Sequence, residues 1–279
     1  MRGWKGARDV LALALVGALV IPVTATATPA IRYVALGDSS AAGPGIPEET
    51  DPVCLRSSRN WPHQLATLLG AQLTDVTCSG ATTNDLAGRQ AGVVPPQYEA
   101  LRANTDLVTL AIGANDLVLG GVWVTCLPAS EQSCQEKYTV NGVDQFAVRI
   151  RATAVKVATA LEEIHRRSPR ARVIVTGYLT YWQPGGCYPD DPFSPVDANY
   201  VQTTMDRLMR MLAVQAWTHN ASYVDLRGPS AAHGLCAEPV RRWLEGATPA
   251  APAYPYHPNE RGMTNAARIL AGTVCRTSD

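Results

Sequence analysis

Five short runs rich in apolar and β-branched residues recur along the chain, and between them the apolar positions switch to helical spacing. The runs are IRYVALG (31–37), QLTDVT (72–77), DLVTLAIG (106–113), ARVIVTG (171–177) and SYVDL (222–226). Three of them end on glycine, as a strand feeding a tight turn often does. Strands alternating with helices build crossover units that cover both faces of a mostly parallel sheet. NWPHQLATLLG predicts a helix with Asn60 as N-cap, Pro62 in the first turn and Gly70 as stop. A second is predicted from Asp144 to Arg167, with Phe146, Ile150, Val157, Leu161 and Ile164 on one stripe. A third carries Val201, Met205, Leu208, Leu212 and Ala216, and a terminal one covers 260–275. The expectation is an α/β fold in three layers: a five-stranded, mostly parallel, flavodoxin-like sheet in the order 2-1-3-4-5 with helices on both faces. The stretches 182–195 and 246–258, rich in Pro and Gly, read as long surface loops.

The first residues read differently from the rest. Arg2, Lys5 and Arg8 precede the apolar stretch VLALALVGALVI, and Ala25-Thr26-Ala27 supplies small residues for cleavage. An export signal is expected over 1–27 and one mature domain over 28–279, placing the protein outside the cell; an uncleaved N-terminal anchor is the other reading. The chain has 24 basic and 24 acidic residues; losing Arg2, Lys5, Arg8 and Asp9 leaves 21 against 23, a net charge of −2. That balance argues against a nucleic-acid partner. Seven cysteines stand at 54, 78, 126, 134, 187, 236 and 275. In an exporting context they read as a disulfide framework, and six can pair in fifteen ways that sequence does not choose between. Sequential pairing, Cys54–Cys78, Cys126–Cys134 and Cys187–Cys236, is favoured because it closes loops without threading the chain, and it leaves Cys275 unpaired. No CxxC occurs, which makes zinc a poor competing explanation.

In a parallel α/β sheet the chemistry gathers beyond the carboxyl ends of the strands. The first strand is followed by Gly37-Asp38-Ser39-Ser40, the second by Cys78-Ser79-Gly80-Ala81-Thr82 and the third by Gly113-Ala114-Asn115-Asp116. His257 stands just ahead of the last helix, in YPYHPNERGM. A serine, two hydrogen-bond donors and a histidine are the parts that acyl transfer requires. In the expected strand order the first strand lies between the second and third, which puts Ser39 between Gly80 and Asn115. Ser40 reads as a small loop residue, Asp38 as the holder of the turn, and His63, His165, His219 and His233 as surface or packing residues.

GDSS (37–40), SGAT (79–82), GAND (113–116) and HPNERG (257–262) together resemble the four blocks of the GDSL, or SGNH, hydrolase family. Their order spans essentially the whole mature chain. The six cysteines and Trp61-Pro62 further resemble its secreted actinobacterial lipase/esterase branch. The resemblance implies the SGNH hydrolase fold, with Ser39 as nucleophile and His257 as general base. It also implies an oxyanion hole of the Ser39 N–H, the Gly80 N–H and the Asn115 side-chain amide. The implied activity is hydrolysis of carboxylic esters, a small-molecule or lipid ester being the partner, with transient contact at a lipid surface. No metal and no organic cofactor are expected, and the chain is expected to be a monomer.

One position departs from the family pattern: Tyr254 stands where most members carry the aspartate that orients the histidine. A phenol, with an ordinary pKa near 10, is no substitute for a carboxylate. Three readings follow: the Tyr254 main-chain carbonyl accepts the His257 Nδ1–H, a carboxylate such as Asp225 reaches the ring, or the enzyme is weak or inactive. A nucleophile elbow of the α/β-hydrolase type is excluded, because only about ten mature residues precede Ser39 where that fold needs several strands. A secreted binding protein on the same scaffold, or an esterase acting on acetylated polysaccharide, are the alternatives to a lipid-ester hydrolase. Trp123, Leu127, Tyr181, Trp182 and Phe193 are candidates for lining an acyl site or for covering the sheet.

Overall fold

A computed structural model of the protein describes Met1, residues 30–126 and residues 132–276. The expected export signal, Leu127 and the side chain of Trp123 lie outside the described residues. Strands β1 (Arg32–Gly37), β2 (Gln72–Asp75), β3 (Leu107–Ala111), β4 (Arg172–Thr176) and β5 (Ser222–Val224) form one sheet in the order β2-β1-β3-β4-β5. Every pairing in it is parallel, with Gly37 beside Ala111 at the carboxyl edge. β3 is buried along its whole length and β1 almost so, as expected of strands covered on both faces.

The helices that matter for the site are α1 (Ser39–Ala42), α2 (Trp61–Leu69), α3 (Gln145–Arg167), α4 (Pro195–Thr218) and α5 (Glu260–Arg276). α2 packs on α5 and α3 on α4. The predicted caps of α2 are in place, and the structure adds one on α3. The Asn60 side chain accepts from the His63 N–H, Gly70 ends α2 in the left-handed conformation, and Asp144 caps α3. All ten stripe residues of α3 and α4 named above are buried, each of the nine larger than Ala216 contributing about 1.5–3 kcal/mol.

β2, β3 and β5 each stop two residues before the apolar runs end, and aspartates account for two of these ends. The Asp75 carboxylate accepts from both the N–H and hydroxyl of Thr77, a local turn that ends β2. Asp225 accepts from the N–H groups of Arg227 and Gly228, which starts a short helix where β5 would continue. Disulfides join Cys54 to Cys78, Cys126 to Cys134 and Cys187 to Cys236, and Cys275 is free and exposed.

Candidate active site

At the end of β1 the chain must turn sharply without leaving the sheet. A Cβ on Gly37 would stand 2.5 Å from the Ala111 carbonyl oxygen, so only glycine fits. The buried Gln97 side chain holds that glycine from both sides: its Oε1 accepts from the Gly37 N–H at 2.8 Å and its Nε2 donates to the Gly37 carbonyl at 2.9 Å. Asp38 then caps α1. One carboxylate oxygen accepts from the Ser40 N–H (2.9 Å) and hydroxyl (2.7 Å), the other from the Tyr178 hydroxyl (2.6 Å). Burial pushes the Asp38 carboxyl up to about 6, against the hydrogen bonds from Tyr178 and Ser40 that favour its charge. Tyr178 in turn accepts from the Ala114 N–H at 3.0 Å, so one phenol ties the Ser39 turn to the Asn115 turn. Trp61 donates its indole N–H to the Ser40 carbonyl at 3.1 Å. These bonds occupy Ser40 and leave the Ser39 hydroxyl to the histidine.

The second and third strand ends bring their blocks alongside. The Cys78 N–H donates to the Gly37 carbonyl at 3.0 Å, and the disulfide to Cys54 anchors the same residue. Gly80 has φ +81, a conformation that costs glycine nothing and other residues a good deal. The Asn115 amide donates to the Ala81 carbonyl at 2.9 Å with one of its two hydrogens. Ser39, Gly80, Asn115 and His257 all line one cavity of about 310 Å³.

His257 completes the group from the opposite side. Its Nε2 lies 2.9 Å from the Ser39 hydroxyl, and its Nδ1 lies 2.8 Å from the main-chain carbonyl of Pro255. With Nδ1 as donor, Nε2 carries the lone pair that faces serine. Burial lowers the His257 pKa below the ordinary 6.5, and the Pro255 carbonyl partly offsets that.

The expectation that Tyr254 orients the ring is corrected by one residue. The ring nitrogen is taken by Pro255 instead, and the Tyr254 carbonyl accepts the main-chain N–H of His257 at 3.1 Å. This closes a four-residue turn with Pro255 second and Tyr256 third, at φ +61. A left-handed third residue is the mark of a type II turn, whose central peptide is turned over relative to type I. That rotation presents the Pro255 carbonyl to the ring. Asp225 caps its short helix instead of reaching the histidine. His63, His165, His219 and His233 are absent from the cavity wall among the described residues.

Several contributors escape a reading of local patterns. Pro255 and Tyr178 act through one atom each, and Gln97 reaches Gly37 across 60 residues of sequence. Of the acyl-site candidates, Tyr181 lines the cavity, whereas Trp182 and Phe193 are buried in an aromatic cluster with Tyr256, at centroid distances of 5.0–6.1 Å.

A five-stranded parallel sheet with this constellation at its carboxyl edge defines the class: an α/β protein of the SGNH hydrolase fold. The model of the GDSL-like lipase/acylhydrolase family matches residues 35–264. Lipase 2 of Streptomyces coelicolor is 35% identical over 266 residues, covering 90% of this chain and 88% of the relative. The crystal structure of an extracellular lipase from Streptomyces rimosus superposes with a TM-score of 0.74 at 25% identity, over 87% of this chain and 99% of that one. A phospholipase A1 from Streptomyces albidoflavus, 23% identical, shares the fold with a TM-score of 0.69, over 88% of this chain and 99% of that one. The chain therefore belongs to the GDSL-like lipase/acylhydrolase family and is a carboxylic ester hydrolase.

Proposed function

We propose that the protein is an exported esterase or lipase that works by two-step acyl transfer, with Ser39 as nucleophile and His257 as base. The observation that carries this is the 2.9 Å approach of His257 Nε2 to the Ser39 hydroxyl, with Nδ1 held 2.8 Å from the Pro255 carbonyl. Nε2 takes the hydroxyl proton as Ser39 Oγ attacks the ester carbon. Negative charge moves to the former carbonyl oxygen, where the N–H groups of Ser39 and Gly80 and the second hydrogen of the Asn115 amide receive it. The imidazolium then protonates the departing alkoxide. Water, deprotonated by His257, attacks the acyl-serine and releases the acid. The Pro255 carbonyl fixes the tautomer and steadies the imidazolium with a partial charge, a weaker version of what a carboxylate does. Side chains, main-chain amides and water perform every step.

The lipid-ester reading takes its support from the relative named Lipase 2 and from the cavity wall, where Leu119, Leu179, Val201 and Met205 offer an apolar lining to an acyl chain. Export is supported by the pattern of residues 1–27 and by the three disulfides; the mature domain would be 28–279 and monomeric. The test is hydrolysis of short-chain p-nitrophenyl esters by the exported protein beside Ser39→Ala. Loss of turnover in the variant is expected; equal rates in the two refute the assignment. A chain-length series of the same esters then measures how much acyl chain the cavity accepts.

A further inference from the structure

The buried side-chain polar atoms that lack a hydrogen-bond partner among the described residues are the Ser79 hydroxyl and Gln90 Oε1, and both flank Gly80. Leaving half of a buried amide unsatisfied costs stability, so a fold gains little by keeping it there. The other half of that amide has a definite task. Gln90 Nε2 donates to the Ser79 carbonyl at 2.8 Å. The Ser79 carbonyl and the Gly80 N–H belong to one planar trans peptide and point in opposite directions. Whatever grips the oxygen therefore sets the direction of the hydrogen.

We propose that Gln90 is a positioning residue of the oxyanion hole, gripping the Ser79–Gly80 peptide so that the Gly80 N–H faces the reacting ester. The inference rests on the oxyanion role proposed for Gly80. The grip matters at this place because Gly80, at φ +81 and without a Cβ, sits on a peptide that rotates with little steric resistance. An ideal Cβ on Gly80 would meet only the Gln90 amide nitrogen, at 3.6 Å. Gln90 is itself held: its main-chain N–H and carbonyl both pair with Val94 at 3.1 Å, and Arg89 braces the same loop through the carbonyls of Gly92 and Val93. On the far side, Asn115 holds the Ala81 carbonyl, so the Ser79-Gly80-Ala81 turn is pinned at both ends by side-chain amides. Gln90 touches no reacting atom and acts only through the peptide it holds.

The test compares Gln90→Leu, Gln90→Ala and Asn115→Ala with the parent enzyme. It measures kcat and KM on a short p-nitrophenyl ester, inhibition by an alkyl boronic acid as oxyanion mimic, and the unfolding temperature. A lost positioning bond predicts that Gln90→Leu lowers kcat about tenfold, less than the about 10²–10³-fold expected for removing a donor outright in Asn115→Ala. KM should stay within about twofold, and boronate affinity should fall in step with kcat/KM. The unfolding temperature should change little, because losing the bond to the Ser79 carbonyl is offset by removing the unsatisfied Gln90 Oε1. Gln90→Ala should show the same kinetic pattern with the leucine shape gone. Unchanged kcat in both Gln90 variants, while Asn115→Ala loses activity, overturns the positioning role and leaves the oxyanion reading standing. A kcat loss matched by a lowered unfolding temperature and a raised KM also overturns it, since that is what a purely structural residue does. Full activity in Asn115→Ala takes down the oxyanion reading and this inference together.

Discussion

The two sides of the site are built in different ways. Ser39, Gly80 and Asn115 sit on the segments that follow neighbouring strands, which the register of β1, β2 and β3 brings side by side. His257 rides on a loop that is not part of the sheet. That loop hangs from Glu245, whose N–H donates to the His257 carbonyl at 3.0 Å and whose carbonyl accepts from the Tyr256 N–H at 3.1 Å. The buried Glu245 carboxylate holds the Asn259 amide (2.6 Å) and the Ala250 N–H (2.8 Å). Gly262 lets α5 start against it, since a Cβ there would stand 2.1 Å from the Trp243 carbonyl. A site half made by strand register tolerates change in its surroundings; the half made by a loop depends on a few long-range contacts.

Removing either chemical group should give the largest effect and test whether the two sides act as one unit. Ser39→Ala and His257→Ala should each lower kcat by about 10⁴-fold or more, and the double variant should be little worse than either single one. Steady-state kinetics on matched, folded samples check this; additive losses would mean that serine and histidine work separately.

The next effect belongs to the loop. Tyr256 holds a left-handed conformation disfavoured for non-glycine residues by about 1–2 kcal/mol, roughly a factor of 5–30. Its ring is buried against Trp182 and Phe193, and its hydroxyl bonds the buried Asp191 carboxylate. Tyr256→Ala and Tyr256→Gly both lose that anchor, but only alanine retains the backbone cost. The alanine variant should therefore turn over about 5–30-fold more slowly than the glycine variant. Equal rates would show that the turn is held by Glu245 alone.

A smaller effect lies in the pH profile. With His257 as the proposed base, the rate should rise with pH through the His257 pKa and be lost as pH falls below it. Because burial sets that pKa below 6.5, the acid limb of kcat/KM should have its midpoint below 6.5. A midpoint above that value would reveal a negative partner at the ring, as a carboxylate-assisted histidine would have. The smallest effect is Tyr254→Phe, which leaves the main-chain turn intact and should change kcat by less than about twofold. A large loss there would mean that the phenol hydroxyl takes part.

How much of this was legible follows the same division. The caps at Asn60 and Gly70 and the apolar stripes of α3 and α4 are local chemistry, which residue type and periodicity read directly. β2 and β5 end before their apolar runs do because single aspartates, at 75 and 225, turn the chain while the run continues. The choice of serine is also local in part: Asp38 engages Ser40 two residues on and leaves Ser39 free to meet the ring. The histidine partner was placed one residue too early. Residue spacing names a position, while only the left-handed turn at Tyr256 decides which carbonyl faces the ring.

By itself the sequence determined the alternation of strands and helices, the parallel sheet and the chemistry-bearing residue types at each strand end, since these depend on periodicity and on turns a few residues long. Tertiary structure decided what fixes their directions: Gln97 on Gly37, Tyr178 between two turns, Gln90 on the Ser79 peptide and Pro255 at the histidine. The Gln97 and Tyr178 bonds join residues 60 or more apart in the chain, and the Pro255 bond, though only two residues long, depends on the turn at Tyr256; neither kind leaves a periodic trace, because its energy depends on a geometry that only the packed molecule sets.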